Sequence, residues 1–409
     1  MVAAVVALSW RPAIEPIANG VRGFDPSLVA QGESLAFIGN CGGCHTADGG
    51  RAFAGGRALP TPFGIVVSTN ITPDAETGIG QWSLDAFRRA MRDGIARDGR
   101  HLYPAFPYDH FAKASAADID ALYAFFMTRA PVQADAPANW MTPPFGFRPL
   151  IAGWNLLFLD QGPVADDPAR PADWNRGRAL VEGLAHCGAC HTPRNALGAE
   201  QRDNAYDGAW TEGWYAPPLN AKSPAVQPWT AEALFAYLRT GVSKSHAAAA
   251  GPMARVTRAL AQAREDEVRA IAVYVASLMA DAPAARGAPP SATKDNAVDA
   301  AHPEAAVLFA GACAGCHEPG APMMLAGGPP LVWGTPLQED TPHNAIQIVL
   351  YGLLPPAGRA GPTMPGYGES LSDRQIADIT AYLRARYTDK PPWPSVEQAV
   401  ARIRKEKGE

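Results

Sequence analysis

Residues 41–45 read Cys-Gly-Gly-Cys-His, and the same Cys-x-x-Cys-His pattern returns at residues 187–191 and 313–317. The three copies use all six cysteines of the 409-residue chain. Two thiols at this spacing add to the vinyl groups of a c-type haem, and the adjacent histidine binds the iron. A thioredoxin-like dithiol or half of a zinc site would explain one isolated copy but not three copies that each end in histidine. The sequence therefore predicts three covalently bound haems c, held by Cys41, Cys44, Cys187, Cys190, Cys313 and Cys316, with His45, His191 and His317 as proximal iron ligands.

Each motif is followed, much later in the chain, by an apolar stripe whose spacing is that of one helix face. An internal repeat of this length indicates duplication of a domain. The stripes are Ile119, Leu122, Phe125 and Phe126; Val268, Ile271, Tyr274 and Val275; and Ile376, Ile379, Tyr382 and Leu383. We therefore expect a mainly α-helical chain of three tandem class I cytochrome c-like domains at 24–133, 172–281 and 303–388, with Ala/Pro-rich linkers at 134–171 and 282–302 and a C-terminal tail at 389–409.

The composition and the N-terminal segment bear on the partners and the cellular location of such a protein. The net charge is −5 and no basic run stands out, so nucleic acid is not an expected partner. Haem is attached to such motifs on the outer side of the bacterial inner membrane. Residues 1–23 open with a run of about ten apolar residues, which is shorter than the roughly 20 residues that a spanning helix needs. We interpret this segment as the remnant of an anchor or signal, and Ile151–Leu159 as a buried linker rather than a lipid-interface segment.

The sixth ligand of each iron should lie on a loop between the motif and the last helix. A methionine thioether there raises the reduction potential. Met253 in Gly-Pro-Met and Met364 in Thr-Met-Pro fit this position in the second and third repeats. The sequence thus predicts His/Met ligation of the second and third haems.

The first repeat lacks a methionine on this loop. Phe106 stands where the methionine would be, and phenylalanine cannot bind iron. His110 follows on the same loop and is the predicted sixth ligand; His101 or an open site remain alternatives. Two histidine ligands would give the first haem the lowest potential of the three.

Four segments are similar to the three-haem cytochrome c subunits of membrane-associated periplasmic dehydrogenases in proteobacteria. They are Asn40–Thr46, Ser68–Asp74, Cys187–Asn195 and Ala249–Met253. The resemblance implies an electron-transfer subunit at the periplasmic side of the inner membrane. Its electrons would come from a catalytic dehydrogenase and leave to ubiquinone or a terminal oxidase.

The loop around Phe106 resembles the cytochrome subunits paired with molybdenum hydroxylases of the xanthine oxidase class, which act on aldehydes or on N-heterocycles such as nicotinate and isoquinoline. This implies a catalytic molybdoprotein with molybdopterin and an iron–sulfur subunit with [2Fe-2S] clusters. The alternative is the cytochrome subunit of a quinoprotein alcohol dehydrogenase or of a flavin-dependent sugar or gluconate dehydrogenase. A haem enzyme, a peroxidase or reductase working at an open first haem, is an alternative of another class. No catalytic residue is expected in the isolated chain.

Overall fold

The computed structural model describes residues 9–17, 23–282, 292–325, 328–353, 355 and 364–407. Most of the predicted N-terminal anchor, residues 1–8 and 18–22, lies outside these ranges. The chain forms two compact units: residues 1–189, 194–203 and 262–274 make up the first, and residues 190–193, 204–261 and 275–409 the second. The division into three haem domains remains a prediction.

The first repeat consists of five helices and one β-hairpin. The hairpin is antiparallel, with Thr61 opposite Gly64 at the turn. In chain order the elements are α1 (Pro26–Ile38), α2 (Cys41–His45), β1 (Ala58–Thr61), β2 (Gly64–Val67), α3 (Leu84–Asp93), α4 (Tyr108–Phe111) and α5 (Ala116–Met127).

The first linker contains regular structure of its own. Strand β3 (Trp140–Met141) pairs with β2 and so adds a third strand to the hairpin. Helix α6 (Pro149–Phe158) buries Ile151, and its Asn155 accepts a hydrogen bond from the Tyr108 hydroxyl at 2.6 Å. Leu156 and Leu157 are 75% and 67% exposed, so the expectation that this whole stretch is buried is wrong. The helix turns its polar side chain inward and two leucines outward.

The second repeat follows the element order of the first with an added 3-10 turn, whereas the described residues of the third repeat contain no hairpin and more helices. The second has α7 (Ala172–Glu182), α8 (Gly188–His191), a 3-10 turn (Arg202–Asn204), β4 (Ala209–Thr211), β5 (Trp214–Ala216), α9 (Ala231–Thr240), α10 (Gly251–Leu260) and α11 (Glu265–Leu278). The third has α12 (Ala292–Ala301), α13 (Pro303–Ala312), α14 (Ala314–His317), α15 (Pro322–Leu325), a 3-10 turn (Leu331–Trp333), α16 (Thr335–Gln338), α17 (His343–Tyr351), α18 (Asp373–Tyr387) and α19 (Val396–Lys407).

Short polar side chains fix where the helices begin. Ser115 and Ser372 accept hydrogen bonds from amides in the first turns of α5 and α18, and Gln375 completes a capping box with Ser372. Such caps satisfy amides that have no partner within the helix. All twelve residues of the three predicted stripes are buried, which confirms them as packing faces.

Two glycines set how closely the first and last helices of a repeat approach each other. A Cβ atom on Gly32 of α1 would lie 1.9 Å from the Ala121 carbonyl oxygen of α5. In the same way, a Cβ atom on Gly177 of α7 would lie 2.0 Å from the Ala270 oxygen of α11. The backbones of both helix pairs are therefore in direct contact, and only glycine fits at the crossing.

The C-terminal segment contributes to a core. Trp393, Val396, Val400 and Ile403 are buried in one cluster with side chains of α13, α17 and α18. The segment predicted as a tail thus completes the hydrophobic core of the third repeat.

Candidate haem-binding sites

Each Cys-x-x-Cys-His motif forms a short helical turn that follows a longer helix, which is α1, α7 or α13. The turn is helical over Cys41–His45, Gly188–His191 and Ala314–His317. In the first two repeats the residue before the motif, Asn40 or His186, has a left-handed backbone with φ of 46° or 39°. This conformation turns the chain after the preceding helix has ended and just before the motif turn begins.

Hydrogen bonds hold two of the three predicted proximal histidines in place. The Nδ1 atom of His45 lies 2.7 Å from the Thr69 carbonyl oxygen, and that of His191 lies 2.7 Å from the Pro217 oxygen. Both acceptors are carbonyls, so Nδ1 carries the proton and donates. Nε2 is then the nitrogen with a free lone pair. Burial also lowers the pKa of both histidines, which keeps them neutral and able to bind a metal.

The third proximal histidine differs. Among the described residues, the buried Nδ1 atom of His317 has no hydrogen-bond partner. Burial lowers its pKa as well, so it too is neutral. A neutral imidazole directly after a pair of cysteines is the donor set that a covalent haem needs, and the residues of all three motifs fit it.

Backbone pairing shows which residues of the first two repeats correspond. The Leu102 amide donates to the Gly94 carbonyl at 2.7 Å, and the Ala249 amide donates to the Gly241 carbonyl at 2.7 Å. Four residues further on lie Phe106 and Met253. Phe106 therefore occupies the position in its loop that Met253 occupies in the second repeat.

The structure places both predicted methionine ligands on the expected segments. Met253 is half-buried in the first turn of α10. Met364 is also half-buried and forms an antiparallel bridge with Leu353, their amides and carbonyls pairing at 2.8 and 3.0 Å. It packs against the core cluster of the third repeat. Their role as iron ligands remains a prediction.

His110 is buried, and other residues engage both of its ring nitrogens. Nδ1 lies 2.9 Å from the Glu182 carbonyl oxygen, and Nε2 lies 2.7 Å from the Glu200 carboxylate. Burial opposes protonation of His110, but the Glu200 carboxylate outweighs it and raises the pKa. In this arrangement His110 has no lone pair free for iron, so the predicted ligation would require Glu200 to release Nε2.

His101, the alternative ligand, lies elsewhere on the same loop. Its Nε2 atom lies 3.0 Å from the Ser9 carbonyl oxygen, and its Nδ1 atom is buried without a hydrogen-bond partner among the described residues. Desolvation lowers its pKa, so the ring is neutral.

Sequence reasoning missed one link between the first two motifs. His186, directly before Cys187, points its Nε2 atom at the Gly39 carbonyl oxygen, two residues before Cys41, at 3.3 Å. Burial is the main cause that lowers the pKa of His186 to about 4. His186 and Asn40 both have a left-handed backbone, but neither residue type requires that conformation. The contact between His186 and Gly39 could therefore not be predicted from the sequence.

Two family models match parts of the chain. One is described as cytochrome c and matches residues 29–130. The other is described as subunit III of cbb3-type cytochrome c oxidase and matches residues 300–383. With the mainly helical structure, these matches confirm the expected cytochrome c-like fold at two positions, and covalent haem c follows from it.

Curated relatives match along nearly the whole chain. A nicotinate dehydrogenase subunit of Pseudomonas putida is 48% identical over 98% of this chain, which spans only 34% of that longer protein. The fructose dehydrogenase cytochrome subunit of Gluconobacter japonicus is 35% identical, with 92% of this chain and 82% of the relative covered. The cytochrome c subunit of the quinone-dependent alcohol dehydrogenase of Gluconobacter oxydans is 33% identical, with 93% and 83% covered.

Within the described ranges, no helix combines the length and the apolar character needed to cross a membrane. The motif turns and the neutral histidines that follow them are consistent with relatives that match over 92–98% of this chain. The chain belongs to the family of cytochrome c subunits of dehydrogenases.

Proposed function

We propose that this chain passes electrons for a dehydrogenase complex through three haems c, bound at residues 41–45, 187–191 and 313–317. Each bound haem would supply an iron that takes up and releases one electron. The observation that carries the proposal is the geometry of the proximal histidines, whose Nδ1 atoms in two sites lie 2.7 Å from a backbone carbonyl oxygen. Such a bond fixes the ring orientation and makes the opposite nitrogen a better iron ligand.

Met253 and Met364 are the proposed sixth ligands of the second and third irons. A thioether favours the ferrous state, so its loss should lower the potential. Met253→Leu and Met364→Leu should each convert one haem to the high-spin form and leave the other two unchanged. Optical and EPR spectra of the purified variants measure this, and an unaltered spectrum rejects the ligand concerned.

His110 is the proposed sixth ligand of the first iron, a role that requires exchange of its Glu200 partner for iron. His110→Ala should then make the first haem high-spin and open it to cyanide, whereas His101→Ala should do neither. If only the His101 variant opens the site, the wrong histidine was chosen. If neither variant opens it, the sixth ligand comes from elsewhere in the complex or the site is open, and the proposed ligation by His110 is wrong.

We further propose that electrons enter from a molybdenum hydroxylase of the xanthine oxidase class, through [2Fe-2S] clusters of an iron–sulfur subunit. The identity of 48% to a nicotinate dehydrogenase subunit supports this partner, and so does Phe106 in the sixth-ligand loop. The substrate would be an N-heterocycle or an aldehyde. A quinoprotein alcohol dehydrogenase or a flavin-dependent sugar dehydrogenase is the competing partner, because such relatives match at 33–36% identity.

Isolation of the native complex distinguishes these partners. Affinity-tagged chain should co-purify with a large subunit, and metal analysis should find molybdenum and non-haem iron. Nicotinate and an aliphatic aldehyde should be offered as electron donors while haem reduction is followed optically. Pyrroloquinoline quinone or flavin in place of molybdenum would assign the chain to the competing families.

We place the chain on the periplasmic side of the inner membrane, attached through the segment that contains residues 1–23. Ubiquinone or a terminal oxidase would take up the electrons. Membrane fractions should therefore contain the haem-loaded chain, and adding a ubiquinone analogue to the substrate-reduced complex should reoxidise the haems. Reduced haems that persist in the presence of the quinone would point to a terminal oxidase as acceptor.

A further inference from the structure

The hairpin of the second repeat has an open edge that side chains of α17 fill. The Tyr215 amide donates to Asn344 Oδ1 at 3.1 Å, and Asn344 Nδ2 donates to the Tyr215 carbonyl at 2.7 Å. The Asn344 side chain thus pairs with β5 as a neighbouring strand would. His343 Nε2 and Gln347 Nε2 lie 2.7 and 2.6 Å from the carbonyl oxygen of Gly213, the residue directly before this strand.

Asn344 cannot easily turn away from this strand. It is only 6% exposed, and its Nδ2 atom also donates to the buried Glu339 carboxyl at 2.9 Å. A flipped amide would turn an oxygen toward Glu339 and an N–H group toward the Tyr215 N–H. The orientation of the side chain is therefore fixed by partners on two sides.

The strand held by Asn344 leads directly to the second haem site. Pro217, two residues after Tyr215, is the residue whose carbonyl accepts the 2.7 Å hydrogen bond from His191. Proline restricts the backbone φ angle, so the connection is short and stiff. Whatever holds Tyr215 therefore also holds the acceptor of the proximal histidine.

The first repeat contains the same arrangement of hydrogen bonds, in which the asparagine comes from a different part of the chain. The Val67 amide donates to Asn139 Oδ1 at 2.8 Å, and Asn139 belongs to the first linker. Two residues after Val67 is Thr69, whose carbonyl accepts from His45. In each repeat, an asparagine from outside the hairpin binds the amide two residues before the carbonyl that orients the proximal histidine.

We propose that Asn344 and Asn139 are positioning residues for the proximal ligands His191 and His45, and through them set the reduction potentials of the second and first haems. A firm Nδ1–H···O bond increases electron donation from the imidazole to ferric iron and keeps the potential down. Loosening the strand weakens this bond and raises the potential. The inference rests on the proposed binding of haem at these sites.

The test is a potentiometric titration of the full-length, haem-loaded chain, with each haem assigned by its EPR signal. Asn344→Leu should raise the reduction equilibrium constant of the second haem by about tenfold, which is about 59 mV for one electron. Asn139→Leu should do the same for the first haem. Each variant is the control for the other. Asn344→Leu should leave the reduction equilibrium constant of the first haem within about twofold of wild type, and Asn139→Leu should do the same for the second haem.

Further variants separate positioning from general loosening. Asn139→Asp keeps an oxygen for the Val67 amide and should restore the wild-type potential of the first haem. If Asn344→Leu does not fold, Asn139→Leu tests the same arrangement in its own repeat. Full haem content with unchanged potentials in both leucine variants would overturn the proposal, as would equal shifts of all haems in both. Absence of haem from the wild-type chain would instead refute the proposed function.

Discussion

The crossing of α7 and α11 makes Gly177→Ala the most informative single substitution for the fold. The added Cβ atom would meet the Ala270 oxygen at 2.0 Å, whereas ordinary contact begins at 3.4 Å, so the helices must separate by 3.4 − 2.0 = 1.4 Å. Overpacking usually costs about 1–3 kcal/mol, and the intrinsic helix preference of alanine returns about 1 kcal/mol. Because the obstacle is a backbone carbonyl that cannot rotate away, the overpacking cost should lie at the upper end of that range. We therefore expect the free energy of unfolding to fall by about 2 kcal/mol.

Urea unfolding of the haem-loaded chain, followed by far-UV circular dichroism, measures this loss. Gly153→Ala at an exposed position of α6 is the matched control, because no atom outside its own helix backbone lies within 4 Å of the added Cβ atom. That variant should gain about 0.5–1 kcal/mol. Since α7 leads into the second motif, Gly177→Ala should also reduce haem attachment there. A free energy of unfolding within about 0.5 kcal/mol of wild type would refute the close crossing.

Arg176→Met and Glu339→Gln test two buried ionisable groups, and Arg374→Met is the exposed control for the first. Arg176 lies 2.7 Å from both Asp118 and Glu267, and Arg176→Met should cost about 3 kcal/mol in urea unfolding, because it strands two buried carboxylates. The exposed Arg374→Met should cost less than about 1 kcal/mol, and equal losses would contradict the argument. Burial raises the pKa of Glu339 from 4.5 to about 8, so its contribution to stability is complete below pH 4.5 and is lost as the pH rises through about 8. Glu339→Gln should remove this decline, which amounts to at most about 1.4 kcal/mol per pH unit; an unaltered pH profile of unfolding would exclude Glu339 as its source.

Features that depend on neighbouring residues in the chain were predictable from the sequence. The motif turns follow from the Cys-x-x-Cys-His spacing. The stripe that contains Ile119, Leu122 and Phe125 follows from helical periodicity, and the cap at Ser115 from its side-chain chemistry. Phe106 could be matched to Met253 because each lies at the same sequence distance from a preceding glycine, Gly94 or Gly241.

Features that depend on tertiary contacts were not predictable. Asn344 pairs with a strand 129 residues away, and nothing around it in the sequence distinguishes it from a surface asparagine. In helix α6 the polar Asn155 is half-buried and hydrogen-bonded to Tyr108, whereas the apolar Leu156 is exposed, so hydropathy alone gave the wrong environment. His110 was chosen by elimination, a method that could not foresee the Glu200 carboxylate at its Nε2 atom.

The haem content of the purified full-length chain tests the central claim most directly. The pyridine haemochrome assay should give three haems c per chain that acid acetone does not extract. Replacing Cys187 and Cys190 together with alanine should reduce the count to two, since both thioether bonds of the second haem are lost. A wild-type count other than three, a variant count that stays at three, or haem that extracts into acid acetone would contradict the account.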